Sequence, residues 1–385
     1  MLRYLTAGES HGPCLTAIVE GLPANFVVDE EAINAYLARR QQGYGRGGRM
    51  KIERDRVRFL SGVRWGKTLG SPIALQIENR DWENWEKIMS SRPEDRRQGI
   101  EVRHPRPGHA DLNGAIKYRQ RDMRNILERS SARETAIRVA VGGICRDFLR
   151  CLGIDTVAYV VEIGGVAAAD LPLDYREKGE LAERSSCGTY DGVAEAAMKE
   201  RIDAAKAAGD SLGGIVEVIV LGAPVGLGSH VHWDRKLDTR LAAAVMSIQA
   251  FKGVEIGLGF GAARLPGSQV HDEIGYRDKQ FCRFSNRAGG VEGGMTSGEP
   301  VVIRGAMKPI PTLYRPLQTV DFATREVHEA SVERSDVCAV PAAAVTAEAV
   351  VAIEIAQAVL EKFGGDSMEE LTANLAAYRN YVEKL

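Results

Sequence analysis

A serine and a histidine lie side by side near the start of the chain, in the segment Gly8-Glu9-Ser10-His11-Gly12. The imidazole can exchange a proton near neutral pH, and the flanking glycines let the backbone approach a ligand closely. Two further runs, 128–134 (ERSSARE) and 334–338 (RSDVC), place arginine beside serine or aspartate at the edge of an apolar segment. Together the three runs indicate anion binding with acid–base groups, although the first segment alone also suits a polar turn between strands.

A second histidine, His109, follows Arg106 and a Pro-Gly turn and comes just before a predicted helix. A histidine at a helix N-terminus meets the positive end of the helix dipole. That position disfavours the imidazolium and suits proton shuttling or contact with an anion. A capping or packing role for His109 is the alternative interpretation.

Three other segments carry residue types that suit anion binding. Ser131 and Glu134 have the spacing of a capping box, and the helix that would start there is flanked by arginines, which makes it a candidate anion site. Lys308-Pro-Ile-Pro-Thr312 predicts a rigid, extended segment with few backbone donors, whose lysine and threonine could hold a phosphate or a ring edge. Asp336 lies close to an arginine, so we expect it to be ion-paired if it is buried.

Two glycine-rich segments resemble nucleotide-binding loops, but neither has both the strand before and the helix after that such loops require. Residues 43–48 (GYGRGG) match GxGxxG, but a predicted helix precedes them and a strand follows, the reverse of the dinucleotide-binding order. We interpret this loop as one that lays Arg46 and Arg49 against an anion, with a solvated basic turn as the alternative. Residues 257–261 do follow a strand, but Pro266 interrupts the expected helix.

Composition narrows the function classes. The chain has 385 residues, is 44% hydrophobic and carries a formal net charge of −2. Basic residues nevertheless cluster at 39–54 and 96–133, which favours one focused anionic site. Nucleic-acid binding is the alternative for the first cluster, but aromatic residues are sparse there. The pair His230 and His232 shows no third ligand, so no metal site is predicted.

The same composition bears on location. No stretch of about 20 apolar residues is evident, so we expect no membrane span. The sequence opens without a basic leader or an apolar signal core. Six cysteines are scattered without a CxxC motif, which is typical of reduced thiols in a cytoplasmic protein.

Hydrophobic periodicity predicts a mixture of helices and strands. The predicted helices are 29–40, 110–127, 132–152, 192–208, 233–251, 344–363 and 368–382. The predicted strands are 2–6, 15–21, 57–63, 73–77, 157–163, 214–221, 254–259 and 299–305. Alternating faces on neighbouring strands favour antiparallel sheets and an α+β fold. The loops 41–49 and 286–297 are candidate walls of the site.

Eight segments resemble the chorismate synthase family, in the same order and along essentially the whole chain. They are GESHG with LTAIVEGLPA, RRQQGYGRGGRM, RHPRPGHADLNGAIKY, ERSSARETA, SIQAFKGVEIGLGF, NRAGGVEGGMTSGEP, MKPIPTL and RSDVCAVPAAAV. The resemblance implies a single domain over 1–385 with a β-α-β sandwich, a helical core between antiparallel sheets. It also implies that the protein is a homotetramer. The chain resembles the monofunctional members of the family, which lack a built-in flavin reductase.

The resemblance implies a reaction as well. The family forms chorismate, in the last step of the shikimate pathway, by an anti-1,4 elimination of phosphate from 5-enolpyruvylshikimate 3-phosphate. Reduced FMN is required without net redox change, so an external flavin reductant is expected, with NADPH as a possible source. An NADPH-dependent oxidoreductase is a competing hypothesis that the reversed glycine motif argues against.

The family's residue roles carry over onto matching positions. His11 would protonate the leaving phosphate, His109 would support the flavin at its N1/C2 edge, and Asp336 would assist proton transfer at N5. Substrate anions would be held by Ser10, Arg46, Arg49, Arg106, Arg133 and Arg334. FMN would contact Ser131, Ala132, Arg133, Gln249, Ala250, Gly293, Lys308, Pro309, Ile310, Pro311, Thr312 and Arg334. Nicotinamide nucleotide contact would fall on Arg40 and Arg46.

Overall fold

The structure is a computed structural model of the chain that describes residues 1–48, 53–277, 280–333 and 335–385. In these ranges the helices are α1 (Glu30–Gln41), α2 (Asp111–Tyr118), α3 (Arg124–Ser130), α4 (Thr135–Cys151), α5 (Tyr175–Arg184), α6 (Gly192–Ala207), α7 (Leu237–Met246), α8 (Gly267–Val270), α9 (Val340–Phe363) and α10 (Met368–Val382). The strands are β1 (Arg3–Ala7), β2 (Cys14–Glu20), β3 (Val57–Phe59), β4 (Val63–Arg64), β5 (Lys67–Thr68), β6 (Ile73–Glu78), β7 (Asp155–Ile163), β8 (Val166–Ala167), β9 (Gly214–Leu221), β10 (Phe251–Ile256), β11 (Ile274–Arg277), β12 (Gln280–Arg283), β13 (Val291–Glu292), β14 (Met295–Thr296), β15 (Val301–Met307), β16 (Gln318–Val320) and β17 (Val327–Glu329).

Two antiparallel sheets form the outer layers. One has four strands in the order β1-β2-β6-β3, and the other has five in the order β10-β15-β9-β7-β8. Helix α4 packs against β2 of the first sheet, α9 packs against β7 and β9 of the second, and α1 lies beside both helices. The helices therefore lie between the sheets, which confirms the predicted α+β sandwich.

The two central helices approach each other closely. A Cβ added at Gly142 of α4 would lie 2.4 Å from the Cβ of Ala349 in α9, so only glycine fits at this crossing. The faces of these helices that carry small residues are buried inside the protein. Their core is continuous with buried side chains from Leu2 to Leu375.

Helix α9 corrects one expectation about membranes. It is long and apolar enough to cross a bilayer by length and composition, so the statement that no such stretch exists is wrong. In the structure, however, 89% of its most apolar window is buried among the other elements. That burial is typical of a core helix, which explains its composition without a membrane.

Two predicted helices are shorter than expected. The prediction over 110–127 is divided into α2 and α3 because Arg119 adopts a left-handed conformation with φ of 54°. The prediction over 233–251 begins with a 3₁₀ turn, becomes α-helical only over α7 and ends before β10. Helix α5 was not predicted at all, whereas α10 has the predicted bounds.

Side chains cap the start of α1 and of the 3₁₀ turn that precedes α4. Asp29 caps α1 by accepting a hydrogen bond from the backbone N–H of Ala32. Ser131 likewise accepts from the N–H of Arg133. The predicted capping box with Glu134 does not form, because this carboxylate accepts hydrogen bonds from Thr6 and Gln249.

Candidate functional site

The loop between β1 and β2 carries the Ser-His pair to the start of α4. The N–H of Ser10 donates to the carbonyl of Glu128 at 2.9 Å, and the Ser131 hydroxyl donates to the Ser10 hydroxyl at 3.2 Å. The structure therefore brings GESHG and SSAR together, although 117 residues separate His11 from Glu128.

His11 is held on several sides. Its Nδ1 lies 3.0 Å from both carboxylate oxygens of Glu128, and its backbone N–H donates to the same carboxylate at 2.8 Å. The ring stacks on Trp85 with a centroid distance of 4.0 Å. The guanidinium carbon of Arg124 lies 4.9 Å from the centroid of the Trp85 ring. Nη1 of Arg124 donates a hydrogen bond to Glu128 at 3.0 Å.

The charge state of Glu128 follows from these contacts. Burial would raise the pKa of the carboxyl, but hydrogen bonds from His11 and the positive charges of His11 and Arg124 outweigh it and lower the pKa. Glu128 is therefore a carboxylate at neutral pH. Its side chain is only 2% exposed, whereas that of His11 is 13% exposed.

His109 is bound by a local carboxylate. Its Nδ1 lies 2.5 Å from Asp111, which also accepts from Nε of Arg106 at 2.9 Å. Arg106 in turn donates to the Thr312 hydroxyl at 3.0 Å. His109 thus lies just before α2, as expected, and the group that fixes its ring is the carboxylate of Asp111, the first residue of that helix.

The segment 308–312 closes this side of the site. Nζ of Lys308 donates to the carbonyl of Gly108 at 2.7 Å, and its backbone N–H donates to the carbonyl of Ala250 at 2.9 Å. Ile310 accepts a hydrogen bond from Ser211. Burial lowers the pKa of Lys308, and the charge of Lys252 lowers it further.

Gln249 links this segment to the start of α4. Its amide nitrogen donates to Glu134 at 3.2 Å. Its amide oxygen is buried and has no hydrogen-bond partner among the residues described. The next residue, Ala250, has a φ of 70°, a strained left-handed conformation for a residue other than glycine.

The loop that starts at Gln42 packs against the segment before α9. Nη1 of Arg46 lies 2.8 Å from Asp336, and the N–H of Gly47 donates to the same carboxylate at 2.6 Å. Asp336 is therefore half-buried and ion-paired, and the partner shown here is Arg46 from a distant segment. Arg49 and Arg334, two other predicted substrate ligands, lie outside the described residues.

Two predicted site arginines are buried among protein groups. Arg133 donates to both oxygens of Asp55 at 2.7 and 2.8 Å and to Asn79 at 2.9 Å. Arg40 donates to Thr135 and to the carbonyl of Ala132, both at 2.9 Å. The pKa of Arg40 is lowered to about 9, mainly by burial. The negative charge of Asp55 raises this pKa, and the positive charge of Arg133 lowers it.

Gly293 lies apart from the other predicted flavin ligands. It forms the exposed turn of the hairpin β13–β14, and its neighbour Gly294 accepts a hydrogen bond from Leu237 at the start of α7. Gln249 follows the other end of α7. The 10-residue helix spans about 15 Å at 1.5 Å per residue, so the turn at Gly293 and Gln249 lie toward opposite ends of α7.

Sequence reasoning missed the residues that hold the predicted ones. Glu128, Trp85, Asp111, Asp55 and Asn79 were assigned no role. Only Asp111 had a local signal, because it stands two residues after His109. The others come from distant segments, and a pattern within one segment does not reveal them.

An α+β sandwich with two carboxylate-bound histidines and buried arginines suits an enzyme that acts on a small anionic substrate. The comparisons with known proteins identify the family. The model of the family described as chorismate synthase matches residues 2–360. The chain is 68% identical over 383 residues to the chorismate synthase of Syntrophotalea carbinolica, covering 100% of this chain and 99% of that one.

Two further comparisons agree. The chorismate synthase of Geobacter sulfurreducens is 63% identical over 390 residues, covering 99% of both chains. A crystal structure of chorismate synthase superposes with a TM-score of 0.81 at 47% identity, covering 100% of this chain and 99% of that one. The chain belongs to the chorismate synthase family. Its reaction is the phosphate elimination that forms chorismate, and a flavin is the family's cofactor.

Proposed function

We propose that the segments around His11 and His109 form one active site for 5-enolpyruvylshikimate 3-phosphate, with reduced FMN as the cofactor. The supporting observation is a continuous path of contacts. It runs from Ser10 through Ser131 to the start of α4, and from Glu134 through Gln249 and Ala250 to Lys308. Lys308 then contacts the loop that carries His109.

Arginine suits the charges of this substrate, which carries two carboxylates and a phosphate. We assign its anions to Ser10, Arg46, Arg49, Arg106, Arg133 and Arg334. Nη2 of Arg133 is buried without a hydrogen-bond partner among the residues described, with Glu53 3.8 Å away. Such a donor would gain a partner when an anion binds.

His11 is the proposed acid for the leaving phosphate. An imidazolium that donates one proton to a phosphate oxygen neutralises the charge that develops as the C–O bond breaks. Support comes from the loop between β1 and β2, where Ser10, the neighbour of His11, contacts Ser131 just before the start of α4. An anion at that helix end would also be favoured by the helix dipole.

The residues around Gln249 fit a flavin. The buried amide oxygen of Gln249 lacks a partner among the described residues, and the strained Ala250 exposes backbone groups next to it. Ser131, Ala132 and Arg133 complete the proposed FMN contacts on one side, and Lys308, Pro309, Ile310, Pro311 and Thr312 complete them on the other. The partly buried Lys308 ammonium suits a phosphate or the flavin ring edge.

When bound, a reduced flavin supplies electron density for the C–O cleavage and accepts the departing hydrogen. The chain itself would manage the accompanying protons. We assign His109 to the N1/C2 edge of the flavin and Asp336 to proton transfer at N5. Arg334 and Gly293 are also proposed FMN contacts, and since Gly293 is remote from Gln249 in this subunit, its contact would require a neighbouring subunit or loop movement.

We further propose that the flavin is reduced by an external reductant, with NADPH as a source. Contact of NADPH with Arg40 and Arg46 would require rearrangement. Arg40 is 5% exposed, and Arg46 is ion-paired with Asp336. Arg39, in the same basic run, is bound by Glu348 and Glu183, so these three described arginines of the run already have carboxylate partners.

Assembly into a homotetramer is supported by an exposed apolar arm. The hairpin β11–β12 and its flanks expose large apolar side chains, all more than 40% accessible: Phe260, Leu265, Ile274, Tyr276, Phe281 and Phe284. Large exposed apolar side chains in this number are typical of a subunit interface. We also propose a cytoplasmic location, since all six cysteines are free.

Turnover tests the reaction directly. Anaerobic incubation with reduced FMN and 5-enolpyruvylshikimate 3-phosphate should release phosphate and chorismate in equal amounts. Folded, FMN-loaded protein without turnover would contradict the proposal.

A pair of glycines tests the placement of Arg46. A Cβ at Gly47 would lie 2.7 Å from the carbonyl oxygen of Ser335, so Gly47→Ala should displace Arg46 from Asp336, whereas a Cβ at Gly48 meets nothing within 4 Å. We expect kcat/KM of Gly47→Ala to fall roughly tenfold to a hundredfold, since small misplacements are costly. Gly48→Ala is the matched control, and equal activity of the two variants would remove Arg46 from the site.

A further inference from the structure

Glu128 is surrounded by hydrogen-bond donors. One oxygen accepts from Nη1 of Arg124 and the other from the backbone N–H of His11, while Nδ1 of His11 lies 3.0 Å from both. An ionised carboxylate can only accept hydrogen bonds. The proton in this contact therefore belongs to Nδ1 of His11.

Two further side chains restrict the imidazole. Trp85 stacks on one face of His11, with ring planes 25° apart, and Arg124 lies over Trp85. Because Arg124 also binds Glu128, the three groups form a closed arrangement around one edge and one face of the ring. Rotation of the imidazole would break the contact with Glu128 and the stacking together.

We propose that Glu128 is a positioning residue that keeps a proton on Nδ1 of His11, so that Nε2 is the nitrogen that exchanges a proton with substrate. This inference rests on the proposed role of His11 as the acid. The imidazolium gives its Nε2 proton to a phosphate oxygen as the C–O bond breaks. The neutral ring that remains keeps its Nδ1 proton and its hydrogen bond to Glu128.

Glu128→Gln tests the arrangement. The amide must place its NH₂ against either Arg124 or the His11 backbone N–H, and it can also donate to Nδ1. We expect ¹⁵N NMR of the folded protein to show the neutral His11 as the Nδ1–H tautomer in the wild type and a shift toward Nε2–H in the variant. Turnover number should fall at least about tenfold, toward the ~10⁴-fold loss on replacing the orienting carboxylate of a serine-protease triad.

Two other variants separate positioning from simple stability. Glu128→Asp keeps an acceptor-only carboxylate and should retain the Nδ1–H tautomer and recover part of kcat. Glu333 lies 3.9 Å from Arg124, so Glu333→Gln should leave tautomer and kcat unchanged. An unchanged tautomer in folded Glu128→Gln overturns the inference, as does wild-type kcat.

The tautomer is measured without turnover, so this inference and the proposed function can fail separately. Full activity of His11→Ala would remove the acid role from His11. The tautomer result would still decide whether Glu128 positions the ring.

Discussion

Two histidine–aspartate pairs in this protein share the same spacing and nearly the same geometry. Nδ1 of His109 lies 2.5 Å from Asp111, and Nδ1 of His232 lies 2.6 Å from Asp234. Their environments differ. The side chains of the first pair are 14% and 1% exposed, and those of the second are 59% and 55% exposed.

The buried pair has additional partners. Arg106 binds Asp111 and reaches across 206 residues of sequence to Thr312. Burial would raise the pKa of Asp111, but hydrogen bonds from His109 and Arg106 outweigh it and hold the pKa well below its usual range. The two pairs therefore share a His-x-Asp spacing, and burial together with a bound arginine distinguishes the first pair from the second.

Removal of the imidazole should separate the two pairs most strongly. We expect His109→Ala to lower kcat by ~10²–10⁴, the range for loss of an acid–base group. His232→Ala should retain wild-type kcat, because its ring lies at the surface. Anaerobic steady-state kinetics with reduced FMN measure both, and equal kcat values would make the buried pair structural.

Loss of the carboxylate charge should destabilise the protein at the buried pair and leave its stability unchanged at the exposed pair. Asp111→Asn leaves the buried Arg106 without its counter-charge, which costs about 3–5 kcal/mol of unfolding free energy. Asp234→Asn should leave the urea midpoint unchanged, since that carboxylate is exposed. Urea unfolding at pH 7 checks both variants, and a similar midpoint for the two would mean that Arg106 finds another partner.

The two pairs also show what the sequence can and cannot predict. Local signals were sufficient for the bounds of α10, because periodicity acts within one segment. The resemblance to the family supplied the sandwich. The partners of His11 were not predictable, since Glu128 is 117 residues away and Trp85 belongs to a third segment.

The predicted helix boundaries were wrong where the conformation of a single residue ends a helix. Nothing in the apolar pattern of 110–127 marks Arg119, whose left-handed conformation separates α2 from α3. The membrane expectation failed for a related reason. Composition alone does not distinguish a bilayer-spanning helix from α9, which tertiary packing buries.

Acidification should reduce the difference in unfolding free energy between the wild type and Asp111→Asn. The folded-state pKa of Asp111 lies below the ordinary 3.8, so its charge stabilises the fold above about pH 3.8, and this stabilisation is lost as the pH falls through the folded-state value. The two unfolding free energies should therefore converge below pH 3.8. Urea titrations from about pH 2 to pH 6 measure this, and a difference that does not change with pH over that range would contradict it.

The smallest expected effect concerns the contact that the exposed pair lacks. Thr312→Val keeps the side-chain shape but leaves Nη1 of the buried Arg106 without its acceptor, which costs about 1–3 kcal/mol. If this contact holds Arg106 for substrate, KM should rise about tenfold, since 1.4 kcal/mol is a factor of ten. Thr239→Val, at an exposed position of α7, is the control. An unchanged KM in Thr312→Val would mean that Asp111 alone orients Arg106, and the buried pair would then differ from the exposed one only by burial and charge.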